Sequence, residues 1–154
     1  MTDAPIRVLF VSTSNASRSI LAEGVLRHIG ADRFEVSSAG VAAASAVEPM
    51  TLQVLETAGY DHDWAVAEPI DAYLGHSFDY VITLCDDARA VCPLFPGADQ
   101  SIHWGYKDPS GVADETERLA AYNRVFTDLA LRVRQFVTIA RRQVPPDAPV
   151  SASA

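Results

Sequence analysis

The stretch "IRVLFVSTSNASRSILAEGVLRHIG", residues Ile6 to Gly30, changes character twice within 25 positions. Ile6 to Val11 is a continuous apolar, β-branched run, the pattern of a strand buried on both faces. From about Ser19, Ile20, Leu21, Val25, Leu26 and Ile29 recur at helical spacing, and Gly30 is a stop signal. Between strand and helix lie the small polar residues Ser12 to Ser17 and then Arg18. A short loop of small side chains at such a junction can turn successive backbone N–H groups inward and form a nest for an anion. The unpaired amides and positive dipole end of the helix add to it. The Arg18 guanidinium can close the nest with two parallel hydrogen bonds to a tetrahedral oxyanion, which a lysine cannot do. The competing reading is a plain turn and helix cap with Arg18 solvated; the flanking strand and helix favour the anion site.

Outward from this stretch the alternation continues. "FEVSSAG" (Phe34 to Gly40) reads as a second strand, and "EPMTLQVLETAGY" as a helix ending near Gly59. "FDYVITLC" (Phe78 to Cys85) is a third strand, "DDARAVC" a short helical piece, and "QSIHW" (Gln100 to Trp104) a fourth strand. From Asp114 to about Arg142, Leu119, Tyr122, Val125, Phe126, Leu129, Val133, Phe136 and Val137 form the stripe of one long amphipathic helix. The expected fold is α/β, a single domain with a four-stranded parallel sheet and helices on both faces. Ligands collect at the carboxyl ends of strands in such sheets. Three polar clusters follow predicted strands: Ser12 to Arg18, Cys85 to Cys92, and Trp104 to Gly111. The domain is expected over residues 1–142, with 143–154 ("PPDAPVSASA" at its heart) as a disordered tail.

The 154 residues, 49% hydrophobic and 21% charged, suit one domain with one sizeable core. A formal net charge of -8 argues against a general nucleic-acid or anionic-membrane binder, since both need a basic surface. Apolar stretches are strand-sized and no signal peptide is recognisable, so a cytoplasmic protein is expected. With two cysteines, Cys85 and Cys92, a structural disulfide is not required. Joined by a regular helix, their Cα atoms would stand roughly 10 Å apart, beyond the roughly 7 Å that a disulfide tolerates. Bonding them requires that segment to unwind. Two reduced, partly buried thiols are the plainer alternative.

The run "VLFVSTSNASRSILAEGVL" resembles the phosphate loop of the low-molecular-weight tyrosine phosphatase fold, whose pattern is Cys, any five residues, Arg, then Ser or Thr. The pattern is matched at Arg18 and Ser19 and broken at its first position, where Ser12 stands in place of the family's nucleophilic cysteine. The resemblance implies that Thr13, Ser14, Asn15, Ala16, Ser17, Arg18 and Ser19 form the oxyanion-binding loop, that Asn15 shapes it through side-chain hydrogen bonds, and that Arg18 clamps the substrate.

Together with "DYVITLCDDARAVCPLFPG" and "HWGYKDPSG", this loop is similar to that of the thioredoxin-coupled arsenate reductases, over roughly Arg7 to Val137. The resemblance implies a cascade. A loop cysteine attacks arsenate, Cys85 attacks that sulfur and releases arsenite, Cys92 resolves the new disulfide, and thioredoxin reduces Cys85–Cys92. It also implies that Asp108 is the general acid protonating the leaving oxygen; an Asp-Pro turn with no chemistry is the plainer alternative. The phosphatases place two aromatic residues after their Asp-Pro, whereas Ser110 and Gly111 follow here, which favours the reductase. No cofactor is required. Some relatives bind a potassium ion beside the loop, and Asn15, Glu23 and Ser38 occupy matching positions. "YDHDW" (Tyr60 to Trp64) reads as a solvated loop rather than a zinc site, because adjacent residues seldom converge on one ion. His103 and Trp104 read as packing that positions the Asp108 loop.

Ser12 changes what such a loop can do. A nest of N–H groups at a helix N-terminus can make a cysteine a thiolate at neutral pH. A serine hydroxyl starts several units higher, and no histidine lies in these motifs to serve as its base. The expectation is an inactive chain that still binds arsenate, phosphate or sulfate. It would be either a reductase whose nucleophile was replaced, which Cys85, Cys92 and Asp108 favour, or a natural member turned oxyanion binder; a tyrosine or small-molecule phosphatase is the further alternative.

Overall fold

The computed structural model describes residues 4–89 and 100–141. Cys92, residues 90 and 91 before it, and the expected tail lie outside the described residues. Strands β1 (Ile6–Ser12), β2 (Phe34–Gly40), β3 (Tyr80–Thr83) and β4 (Gln100–His103) form one sheet in the order β2-β1-β3-β4, and every pairing is parallel. Between them run α1 (Arg18–Gly30), α2 (Pro49–Thr57) and α3 (Asp86–Arg89), and α4 (Glu115–Ile139) closes the chain, with short 3-10 turns at 31–33, 70–73 and 109–111.

β1 is central and shows why its sequence is an unbroken apolar run. Ile6, Val8 and Phe10 face a core shared with α1 (Ile20, Leu21, Val25, Leu26), α2 (Val54, Leu55) and α4 (Tyr122, Leu129, Val133, Phe136). Leu9 and Val11 face the opposite side, a smaller cluster with Val81, Ala39, Ile70, Phe78, Cys85 and Ala88. Both faces are covered, but the second carries only the 70–73 turn and α3 among the described residues.

Element bounds differ from the sequence expectation at their ends. β3 spans Tyr80–Thr83 rather than Phe78 to Cys85, because Leu84 and Cys85 already belong to the turn that leads into α3. α4 starts one residue later than expected, with Asp114 as its N-cap accepting the Glu117 amide at 2.9 Å. It ends at Ile139.

The register brings the strand ends level. Ser12 pairs with Gly40, Val11 with Thr83, and Thr83 with His103. The segments after β1, β3 and β4 therefore leave the sheet at one edge, its carboxyl edge, which collects the three polar clusters.

Candidate functional site

Residues Thr13 to Ser17 wrap between β1 and α1, and the reason lies in their carbonyls. The amides of Val41, Ala42 and Ala44 donate to the carbonyls of Ser12, Thr13 and Ser14 at 3.1, 2.8 and 2.9 Å. The Ala16 carbonyl accepts from the Glu48 amide at 3.1 Å and from Thr51 Oγ1 at 2.8 Å. With carbonyls held outward, the amides turn inward, and among the described residues no acceptor takes those of Thr13 to Ser17. Asn15 supports the reversal with a left-handed φ of 52°, a conformation that asparagine tolerates better than most residues. Gly40 allows the loop to lie this close to β2, since a Cβ there would stand 2.8 Å from the Thr13 oxygen and 2.9 Å from the Asn15 nitrogen. Ser17 occupies the N-cap of α1 but makes no side-chain cap bond, so the first-turn amides stay open toward the loop.

Side chains fix the loop from beneath. Asn15 Nδ2 donates to Ser19 Oγ at 2.7 Å and to Ser38 Oγ at 2.9 Å, while its Oδ1 accepts the Glu68 amide at 2.8 Å. Ser38 Oγ donates to Glu23 Oε1 at 2.5 Å. Ser19 Oγ also lies 2.7 Å from Ser12 Oγ. Because Ser19 already accepts from Asn15, its own proton is free to go to Ser12, which points a donor at the atom in the first loop position. Ser12 is 1% exposed.

Arg18, 6% exposed, reaches across the loop. Its Nη1 donates to the Tyr106 carbonyl at 2.9 Å, and its Nη2 lies 3.7 Å from Asp108 Oδ2. Its Nε is buried without a partner among the described residues. A buried guanidinium donor left unpaired costs about 1–3 kcal/mol or more. With Nη1 anchored, the Nε–Nη2 edge is the one available to fork onto an oxyanion.

Asp108 caps this arrangement. Its Oδ1 accepts from Ser17 Oγ at 2.9 Å and from the amide and hydroxyl of Ser110 at 2.9 and 2.7 Å. Partial burial alone would raise its pKa, but the Ser110 and Ser17 hydrogen bonds and the Arg18 charge more than offset this, leaving Asp108 below the usual carboxylate range. Asp108 is therefore a carboxylate here, sharing the donors an oxyanion would use. Cys85, buried at the turn after β3, places its Sγ 3.1 Å from Thr13 Oγ1. Cys85, Asp86, Gly105, Tyr106 and Lys107 line a cavity of about 230 Å³ at this edge. A larger hollow of about 620 Å³ on α4, lined by Asn123, Arg124, Thr127, Asp128, Leu131 and Arg134, contains none of these residues.

The structure thus brings Ser12, Thr13, Asn15, Ser17, Arg18, Ser19, Cys85 and Asp108 together. His103 is tied less to the Asp108 loop than to β3 and α3: its Nδ1 lies 2.7 Å from Thr83 Oγ1 and its Nε2 3.2 Å from Asp86. Trp104 packs on Phe10 and Phe136. In the 60–64 stretch, Tyr60 stacks on His28 and Trp64 on Arg27, and no group of three or more His, Cys, Asp or Glu among the described residues could hold a metal ion. Tyr106 and Thr51 also hold the site, and the sequence carries no motif for either. Tyr106 acts through its carbonyl, which no side-chain pattern reveals.

A nest of amides at a strand–helix junction, a buried arginine and a facing Asp-Pro loop define the phosphate-loop class of α/β proteins. The family model described as low molecular weight phosphotyrosine protein phosphatase matches residues 7–145, and the chain belongs to that family. It is 35% identical over 131 residues to an arsenate reductase of Bacillus licheniformis, covering 84% of this chain and 93% of that protein. It is 32% identical to an arsenate reductase of Bacillus subtilis over 130 residues, 84% of this chain and 93% of that one. Among solved structures, an arsenate reductase in its phosphate binding state superposes with a TM-score of 0.75 at 26% identity, covering 86% of this chain and 97% of that one. A thioredoxin-dependent arsenate reductase of Corynebacterium glutamicum gives 0.67 at 27% identity, over 91% of this chain and 66% of that one. No described helix is long and apolar enough to cross a membrane.

Proposed function

We propose that the chain has the site of a thioredoxin-coupled arsenate reductase in which Ser12 stands where the first nucleophile belongs, so that it holds arsenate, phosphate or sulfate without reducing it. The observation that carries this reading is a second thiol beside the loop: Cys85 Sγ lies 3.1 Å from Thr13 Oγ1, next to position 12. A hydrolase has no use for a sulfur there, whereas a cascade does.

With a thiolate at position 12, the chemistry follows from the geometry. That sulfur attacks arsenic held by the loop amides and Arg18, and an oxygen leaves as water with a proton from Asp108. An oxyanion that claims Arg18 and Ser17 removes two of the influences that depress Asp108 and adds negative charge beside it, so binding raises the pKa of the acid it needs. Cys85 then attacks the position-12 sulfur. An S–S bond forms, the S–As bond breaks, and its electron pair stays on arsenic, which departs as arsenite. Cys92 attacks Cys85, freeing the first sulfur, and thioredoxin supplies the two electrons that reopen Cys85–Cys92 in the cytoplasm. Ser12 can do neither the attack nor the disulfide. Among the described residues its buried hydroxyl has a hydrogen bond with Ser19 Oγ and none with a histidine or carboxylate that could serve as its base.

Ser110 and Gly111 follow Asp108 and Pro109, and Ser110 folds back onto Asp108 rather than offering an aromatic wall. That favours the reductase over a phosphatase. In a Ser12→Cys background, either Cys85→Ser or Cys92→Ser should abolish multiple turnover of arsenate. Efficient aryl phosphate hydrolysis indifferent to Cys92→Ser, with no arsenite formed, would sink the reading.

A further inference from the structure

The three residues matched to a potassium site do come together, but their oxygens are already committed. Asn15 Oδ1 accepts the Glu68 amide, Ser38 Oγ accepts from Asn15, and Glu23 Oε1 accepts from Ser38. The remaining carboxylate oxygen, Glu23 Oε2, accepts from Arg27 Nε at 2.8 Å. Each of these oxygens keeps a second lone pair, but the Arg27 guanidinium already supplies the positive charge at Glu23 and would repel a metal ion placed beside it, so the set as it stands does not fit one.

Arg27 is built into this place. It lies one helical turn beyond Glu23 on α1, its guanidinium sits over the Trp64 ring at 4.7 Å, and its Nη2 reaches the Val36 carbonyl at 3.4 Å. Glu23 is only 5% exposed, and a carboxylate buried so deeply needs a counter-charge. Around the pair, Ser37, Glu68 and Tyr73 line a cavity of about 180 Å³. From Glu23 the hydrogen bonds run without a break to Ser38, Asn15, Ser19 and Ser12. Arg27 holds Glu23, Glu23 dictates where the Ser38 proton points, and that fixes the Asn15 amide on which the left-handed turn of the loop depends.

We infer that Arg27 serves in this chain as a built-in cation in place of a bound alkali ion, and is a positioning residue that orders the oxyanion loop through Glu23, Ser38 and Asn15. The inference concerns the same loop as the proposed function and rests on that reading for its effect on oxyanions. Its effect on stability does not.

The test compares the unaltered chain, Arg27→Met and Arg27→Lys in potassium chloride and choline chloride at equal ionic strength. The readouts are the thermal midpoint and calorimetric sulfate binding. The unaltered chain should behave identically in the two salts. Arg27→Met keeps an apolar stem against Trp64 but leaves Glu23 without its cation. It should melt about 5 °C or more lower in choline, bind sulfate about tenfold more weakly, and recover on both counts in potassium. Arg27→Lys should need less potassium than Arg27→Met. A potassium-dependent midpoint in the unaltered chain would overturn the inference, as would an Arg27→Met variant that is indifferent to potassium. If Arg27→Met does not fold, Arg27→Gln takes its place: a midpoint higher in potassium for the unaltered chain, or a folded Arg27→Gln variant that ignores potassium, overturns it. Absence of sulfate binding by the unaltered chain with these salt responses intact would count against the proposed function alone.

Discussion

Ser12→Cys is expected to raise thioredoxin-dependent arsenate reduction by more than about a thousandfold over the unaltered chain, equivalent to about 4 kcal/mol of barrier. The loop amides, the open first turn of α1 and the Ser19 hydroxyl 2.7 Å from the position-12 oxygen all favour negative charge at that atom. A thiol starting near pKa 8.5 can answer with a thiolate; a serine hydroxyl cannot. Serine also ends the cascade for a second reason, because no disulfide can form with Cys85. The measurement is arsenite release with reduced thioredoxin and its reductase, following NADPH oxidation. A folded Ser12→Cys chain that binds arsenate and stays inactive would show that the other site residues are not arranged for this chemistry.

Gly40→Ala should nearly abolish oxyanion binding although Gly40 touches no substrate. The added Cβ would meet backbone atoms, namely the Thr13 oxygen at 2.8 Å, the Asn15 nitrogen at 2.9 Å and the Ser14 carbonyl carbon at 2.9 Å. Flexible side chains could move aside; this backbone cannot without losing the carbonyl bonds to Val41, Ala42 and Ala44 that turn the amides inward. Overpacking of this kind costs about 1–3 kcal/mol, and shifting the nest removes several charge-directed hydrogen bonds at once. A loss of at least about a hundredfold in sulfate affinity is expected, roughly 2.8 kcal/mol, with a smaller fall in the thermal midpoint. Calorimetry and thermal melting separate the two effects. Unchanged sulfate affinity would mean that the close approach of β2 does not shape the loop.

The parts legible in the sequence were those with periodic or compact signatures. β1 announced itself because both of its faces are buried, and α4 because its stripe is sustained over about five turns from Leu119 to Val137. Arg18 stood out as the charged residue that ends a loop between a buried strand and a helix, and Asp108 through the resemblance of "KDPSG" to the arsenate reductases. What escaped were relationships between backbone and distant side chains. Nothing in "VAAASAVE" says that its amides will hold the loop carbonyls, and any residue could have offered the Tyr106 carbonyl to Arg18. Glu23 and Arg27 are visible as a pair four apart on a helix, the spacing of an ordinary surface ion pair. α1 is buried along most of its first two turns, so the pair lies under the site, and only the three-dimensional structure reveals that.

The proposed function requires that Thr13 to Arg18 hold an oxyanion in the chain as it is. The direct measurement is a sulfate titration of the unaltered protein followed by backbone amide NMR, with Arg18→Ala alongside. The prediction is one saturable site whose largest shifts fall on the amides of Thr13 to Ser19, lost in Arg18→Ala. Shifts scattered over the surface, or a loop response that persists undiminished without Arg18, would contradict it.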